Sequence, residues 1–420
     1  MQPEQVIAVL LVLAAVFSYV NERFLGISPT IGMLLLSLFV AVAIMVAGYF
    51  GWTTGQRELV SFLDSLDFRR TLMDGMLGFL LFAGALHVQL RVLVHERWEV
   101  MILATAGTLV ATFVIGGLTW LLLSAIGVQL PFIYALVFGA LISPTDPIAA
   151  VAILKKVGMP DKLETLISGE SLFNDGVGAV LFSVIAAIAI SGETPSVAHV
   201  TWDFAKEVVG GIGLGAVLAI GAYGLLRGVR EDSSRLLVSL ALVSGGGVLA
   251  RAMHVSNPLA MVVAGLMVGW LSDQTMEGPS RQTLGTFWKL VEDVINAVLF
   301  LLLGLFVLKN PESIAIVPMI LAIGVVLIGR FVSVAIPIRF WRIRQKPSVA
   351  ELQLSMLMTW GGLRGAISIA LLLSLPVSPQ RDLLFDMTYA VVVFSLVIQG
   401  LTIGRLFTSS QLQQMAELNS

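Results

Sequence analysis

The chain has 420 residues, of which 57% are hydrophobic and 12% charged, with a mean hydropathy of +0.94 and a formal net charge of −2. Soluble domains are about a quarter charged, so this composition is that of a membrane protein, and its slightly acidic balance argues against a nucleic-acid partner. There is no cysteine, which excludes disulfides, thiolate metal sites and cysteine nucleophiles.

Apolar runs long enough to cross a bilayer recur along the whole chain. They predict an all-α membrane protein of about thirteen spans, near 6–24, 29–50, 72–90, 99–126, 132–154, 163–190, 205–227, 236–252, 257–272, 287–308, 313–338, 350–373 and 385–408. The first run follows "MQPEQ", which has no basic n-region, and it reads as span 1 and not as a removable signal peptide. Spans 8 and 9 are the shortest and are parted only by "RAMHVS". Loops after odd-numbered spans hold fifteen basic residues, among them Lys155, Lys156, Lys162, Arg339, Arg342, Arg344 and Lys346. Loops after even-numbered spans hold six, half of them Arg57, Arg69 and Arg70. The positive-inside rule then places the N-terminus outside and the C-terminus in the cytoplasm, in a multi-pass protein of the cell (plasma or inner) membrane. No long soluble insertion interrupts the spans, so residues 1–420 read as one membrane domain with a tail, "SSQLQQMAELNS", too short to be a regulatory domain.

Polar clusters lie where hydrocarbon should be. Span 5 contains "SPTDP", in which Pro144 and Pro147 lack an N–H and deprive the carbonyls of Ala140 and Ser143 of their helical partners. Freed carbonyls at that depth must be buried in protein or face a wet cavity, and here they accompany Thr145 and Asp146 in an oxygen-rich pocket. Span 6 carries "GESLFNDGVGAV", 169–180. At ~100° per residue Glu170 stacks under Asn174 and Ser171 under Asp175, making one polar face about 140° wide. Gly169, Gly176, Gly178 and Ala179 leave bare backbone for a second helix, with the broken centre of span 5 as the nearest candidate.

Span 10 opens with Glu292 and Asp293 beside Lys289; they read first as a solvated helix end and second as charges at a mouth or a pH-sensing site. Span 11 buries a base, Arg330. In span 12, "TWGGLRGAISIALLL", three glycines bracket Arg364. Spans 5 and 12 are thus both interrupted, one around an acid and one around a base. Seven spans apart, they enter from opposite faces, and an inverted pair of interrupted helices points to the binding site of a secondary transporter. The histidines His87, His95, His199 and His254 have no metal spacing to one another. The sixteen methionines read as packing, and Trp52, Trp98, Trp202 and Trp341 as interfacial anchors.

The order T-D-P, G-E-S-x-x-N-D-G, a buried Arg and G-G-L-R-G-A resembles bacterial and archaeal sodium/proton antiporters of the NhaP type, relatives of the eukaryotic Na+/H+ exchangers. "FWKLVEDVINAVLFLLLGL" in span 10 is similar too, and the resemblance runs from about span 3 to span 13. It implies the inverted-repeat fold of NhaA- and NhaP-like antiporters, with a moving core bundle of about 99–190 and 313–408. The scaffold, about 6–90 and 205–308, would form a homodimer. It implies that Asp175 binds the ion and the proton, with Asn174 as its neighbour. Na+ would sit among Asp175, Ser171, Thr145 and Asp146, the last acting directly or through water. Glu170 would pair with Arg330, and Arg364 would hold Asp146 and the crossing. One departure stands out: some relatives place an acid in span 3 near the ion, where this chain offers only His87 and Gln89.

Three acids and two bases in such a core leave one negative charge, which is costly at bilayer depth. One Na+ cancels it, and so does one proton, which makes the expected exchange one for one and electroneutral. Hard oxygen ligands suit Na+ or Li+; a K+/H+ antiporter on the same fold is the alternative. A channel would need a selectivity filter and an intramembrane hydrolase a nucleophile–base pair or H-E-x-x-H. None of these motifs occurs, so the expectation is a transporter and not an enzyme. Its partners would be monovalent cations, protons and the bilayer, it would need no cofactor, and it would serve pH homeostasis and salt tolerance.

Overall fold

Hydrocarbon offers a backbone no hydrogen-bonding partner, so apolar runs in a membrane protein close their bonds internally as helices. The computed structural model describes residues 3–51, 59–60, 75–192, 196–276, 278–309, 315–341 and 349–417. Arg57, Arg69, Arg70, Arg342, Arg344, Lys346 and Trp52, and the first residues of span 3, lie outside the described residues.

In chain order the helices are α1 (Pro3–Val20), α2 (Pro29–Tyr49), α3 (Leu77–His87), α4 (Leu90–His95), α5 (Arg97–Ile102) and α6 (Thr108–Ala125). The two halves of span 5 follow, α7 (Phe132–Ile142) and α8 (Ile148–Lys156), and then α9 (Asp161–Ser191), α10 (Val197–Gly228), α11 (Asp232–Ala252), α12 (Asn257–Thr275), α13 (Gly278–Leu305) and α14 (Ile316–Trp341). Span 12 is again two halves, α15 (Val349–Gly361) and α16 (Ala366–Leu373). The chain closes with α17 (Pro379–Phe394), α18 (Gly400–Leu406) and α19 (Ser409–Glu417). A π turn at Leu103–Gly107 joins α5 to α6, and another at Ser395–Gln399 joins α17 to α18. Local chemistry sets several ends: Ser256 and Ser378 cap α12 and α17 by accepting from the N–H of Leu259 and Arg381, each with a proline in the first turn.

Nine helical stretches among the described residues are long and apolar enough to cross a membrane. The expected thirteen differ from these by spans 3, 5, 9 and 12. Spans 5 and 12 are each split into two short helices, span 3 begins outside the described residues, and α12 carries polar ends at Asn257, Asp273 and Gln274. In the tail, Ser409–Glu417 is a short helix that buries Leu412 and Met415 and packs on α15 and α9.

Two groups of close helix pairings stand out, with α9 touching both, since it also packs on α10 and α12. In one, α6 packs on α7 and α14, α9 on α7, and α14 on α17. In the other, α12 packs on α3 and α10, and α13 on α2. Trp288 of α13 is wholly buried in this second group, against Phe79 and Phe82 of α3, with its Nε1–H donated to Ser239 of α11 at 3.0 Å. Apolar side chains such as Val209, Val217, Ile220 and Leu225 of α10 stay exposed on the outside of the protein, as a lipid-facing surface requires.

Candidate functional site

The site begins where two helices fail. Pro144 and Pro147 end α7 and delay α8, leaving residues 143–147 non-helical; Gly362–Gly365 do the same between α15 and α16. The two gaps meet. The Asp146 N–H donates to the Leu363 carbonyl at 2.7 Å, an isolated antiparallel bridge. The approach depends on glycine, because a Cβ on Gly365 would lie 2.6 Å from Asp146 Oδ2.

Arg364 satisfies one carbonyl that proline freed, that of Ser143, and the one after it. Its Nη1 donates to Ser143 O at 2.5 Å and to Pro144 O at 2.8 Å, and its own N–H donates to Ser395 Oγ at 3.0 Å. The guanidinium therefore holds the crossing by backbone dipoles, and among the described residues it makes no ion pair with the Asp146 carboxylate that was its expected partner. A carbonyl that has lost its helical N–H is the stronger claimant, since an unpaired acceptor at that depth is costly. Asp146 Oδ1 instead accepts the Ile148 N–H at 3.0 Å, at the start of α8, where the helix dipole favours an anion.

The polar face of α9 docks on the same gap. Ser171 Oγ donates to Thr145 O. Asn174 Nδ2 donates to Thr145 Oγ1 and to Glu170 Oε1, each at 3.0 Å, while its Oδ1 accepts the Thr145 N–H at 3.3 Å. Gly178 makes room for this contact, since a Cβ there would meet Pro144 at 2.5 Å. The other bare positions serve different neighbours: Gly176 faces Leu259 of α12, and Gly169 faces Leu93 and Val100.

Glu170 is spoken for. Arg330 grips both its oxygens, at 2.7 and 2.6 Å, in a fork that is 5% exposed on the arginine and 1% on the glutamate. Arg330 Nε also donates to Met358 O at 3.4 Å, tying α14 to α9 and α15. A buried pair of this kind leaves nothing for an ion.

What is left open is a cavity of about 710 Å³. Its floor carries Asp146, Asp175 and Ser171, with Ala366 and Ile367 of α16; the two aspartates are half-buried and face it. Thr145 is buried behind the floor. The mouth is lined by Lys155, Asp161, Glu164, His87, Gln89 and Lys289, and the wall between by Glu292 and Asn296 of α13. Span 3 thus reaches the cavity with His87 and Gln89 and brings no acid to it from residues 75–90. Glu292 corrects a reading made from sequence: only 7% of it is exposed, and it faces the cavity and not solvent, whereas Asp293 is 56% exposed by its side chain. The signal was in the spacing. Lys289, Glu292, Asn296 and Leu299 lie three or four residues apart on one face of α13 that runs from mouth to floor.

The arrangement can hold one small cation against carboxylate and hydroxyl oxygen. Two carboxylates, Asp146 and Asp175, face the cavity at its floor, Glu170 beside them is already neutralised by Arg330, and the Arg364 guanidinium is fixed on carbonyls behind the floor.

Three comparisons bear on this geometry. The family model described as "Sodium/hydrogen exchanger, transmembrane" matches residues 9–409. The Na(+)/H(+) antiporter NhaP of Pseudomonas aeruginosa is 42% identical over 411 residues, 95% of each chain. NhaH of Halobacillus dabanensis, also a Na(+)/H(+) antiporter, is 33% identical over 342 residues, 80% of this chain and 82% of its own. The solved structure of the sodium proton antiporter MjNhaP1 from Methanocaldococcus jannaschii at pH 8 superposes with a TM-score of 0.75 at 19% identity, covering 99% of this chain and 100% of that one. The all-helical antiporter fold expected from the sequence is the fold this superposition shows.

Proposed function

We propose, because the chain belongs to the sodium/hydrogen exchanger family and carries the site described above, that it exchanges Na+ for protons across a membrane, one for one. The observation that carries this reading is the pair of cavity-facing carboxylates, Asp146 and Asp175, with Glu170 committed to Arg330 and Arg364 committed to the Ser143 and Pro144 carbonyls. The charges of these five groups sum to −1. A charge left unpaired at bilayer depth costs several kcal/mol, so the empty site is the form least able to cross. Na+ bound at Asp175, Asp146, Ser171 and Thr145 removes the excess charge; a proton on Asp175 removes it equally. The two cargoes compete, and each returns the carrier for the other.

The cavity is lined on one side by α8, α9 and α16 and on the other by α3 and α13. That division supports a core of residues 99–190 and 313–408 moving against a scaffold of 6–90 and 205–308, with the scaffold supplying a homodimer contact. Its mouth lies beside Lys155, at the C-terminal end of α8, and Lys289, in the first half of α13; the charge bias assigns that face to the cytoplasm, so the state described faces inward. On the far side the groups are in contact: Tyr389 of α17 donates to Gly304 O of α13 at 3.5 Å. The cycle calls for no cofactor beyond its two cargo ions.

The test is proton flux from proteoliposomes holding an acid-inside gradient. Addition of Na+ or Li+ should dissipate the gradient, and choline should not. Equal responses to Na+ and choline would sink the proposal.

A further inference from the structure

On the wall of the cavity Lys289 stands between two acids. Its Nζ lies 3.4 Å from Glu292 Oε2 and 3.0 Å from Asp293 Oδ1. The two carboxylates are in different places: Glu292 is buried and faces the cavity, and Asp293 lies largely in solvent. The lysine itself is half exposed, on a flexible stem that reaches both. One ammonium against two carboxylates leaves a net negative charge on the α13 side of the cavity that also holds Asp175. Asn296, one turn deeper on the same face, adds an amide on the way.

We propose that Glu292 is a waystation for the incoming monovalent cation and that Lys289 is its built-in competitor. The ammonium occupies Glu292 while the cavity is empty of cargo. An arriving cation displaces it, and Lys289 keeps its pairing with Asp293, so no ammonium is stranded. A cation then passes from Glu292 to the floor site. The pair sets how much Na+ is needed to load the carrier and leaves the chemistry at Asp175 untouched. This rests on the Na+/H+ exchange proposed above.

Each perturbation of the pair has a definite sign. Glu292→Gln removes the waystation and raises the KM for Na+, by roughly fivefold if one elementary charge is lost from a partly screened mouth. Lys289→Gln removes the competitor and lowers KM. Asp293→Asn strips Lys289 of its alternative partner, leaves it on Glu292, and raises KM. Lys289→Arg keeps the charge and keeps KM near the parent value. In all four the maximal rate stays within about twofold, because cargo still meets an intact floor at saturation.

The experiment is Na+-dependent proton flux in proteoliposomes of the full chain, titrated over Na+ concentration for the parent and the four variants, with thermal stability in detergent measured alongside. A purely structural pair would lower stability and maximal rate together and would not reverse the sign of KM between Glu292→Gln and Lys289→Gln. Up, down, up and unchanged, in the order given, is the result expected. KM values all within twofold of the parent, or a rise in KM for Lys289→Gln, would overturn the proposal. If Glu292→Gln fails to fold, Lys289→Gln and Asp293→Asn still carry opposite signs and decide it. Loss of Na+-driven flux in the parent protein would remove the exchange reading itself, a different outcome from a parent that exchanges and variants that do not shift.

Discussion

Asp146 and Leu363, 217 positions apart in sequence, are joined main chain to main chain by a 2.7 Å hydrogen bond at the point where spans 5 and 12 are both unwound. The bond places an acidic side chain beside the cavity without using that side chain to hold the crossing. Asp146 keeps its carboxylate for the α8 amide and leaves it facing the cavity.

Asp175 is the group asked to take both cargoes. Asp175→Asn should give a folded protein, with thermal stability close to the parent, that shows no Na+-driven proton flux above the choline background. Substantial exchange by this variant would put the competing site elsewhere.

Glu170 and Arg330 should behave as one structural unit. Replacing either alone leaves a buried charge unpaired, at a cost of about 3–5 kcal/mol, read as lost expression or a lowered unfolding temperature in detergent. Glu170→Leu combined with Arg330→Met should recover much of that loss, with the Asn174 amide still giving up one hydrogen bond. Single variants as stable as the parent would show that the pair is idle.

Gly365 should tolerate no side chain. Gly365→Ala would press a methyl against Asp146; overpacking of this kind costs ~1–3 kcal/mol and would pull the crossing apart. Gly361→Ala meets only the flexible end of Ile403, at 3.3 Å, and should be mild. Exchange rates measured side by side, with Gly365→Ala far below Gly361→Ala, are the expected outcome.

Steady exchange should move no net charge. Asn174 stands where a second aspartate would call for another proton per cycle, and the excess of one charge is cancelled equally by Na+ and H+. Were one charge moved per cycle, 100 mV would be worth ~2.3 kcal/mol, roughly a fifty-fold change in the final ion ratio. Proteoliposomes clamped with K+ and valinomycin at a fixed pH gradient should therefore reach the same Na+ ratio at any potential.

Much of this architecture can be read from local chemistry. Prolines 144 and 147 and the glycines around Arg364 mark the interruptions because they act on the backbone itself. The stacking of Glu170 with Asn174, and of Ser171 with Asp175, follows from helical periodicity. What depends on three-dimensional choice among partners is less visible. Arg364 could meet a carboxylate or a bare carbonyl, and only the fold shows it on Ser143 and Pro144. Glu292 has charged sequence neighbours like those of a helix end, and its low exposure goes with its place inside α13, which packs on α3. The helix at Ser409–Glu417 buries Leu412 and Met415 by packing on α15 and α9, partners its own sequence does not announce.

The length of α9 has an electrical consequence. Its 31 residues span about 46 Å at 1.5 Å each, and Asp175, the fifteenth, lies near the middle. On the Na+/H+ exchange proposed above, a sodium ion that has descended the open cavity to that depth has moved through part of the transmembrane field before any helix has shifted. Half of a cycle is therefore a charge displacement even when the whole cycle is silent. A rapid step in Na+ concentration, applied to a membrane densely loaded with this protein, should produce a brief capacitive current that decays to zero while exchange continues.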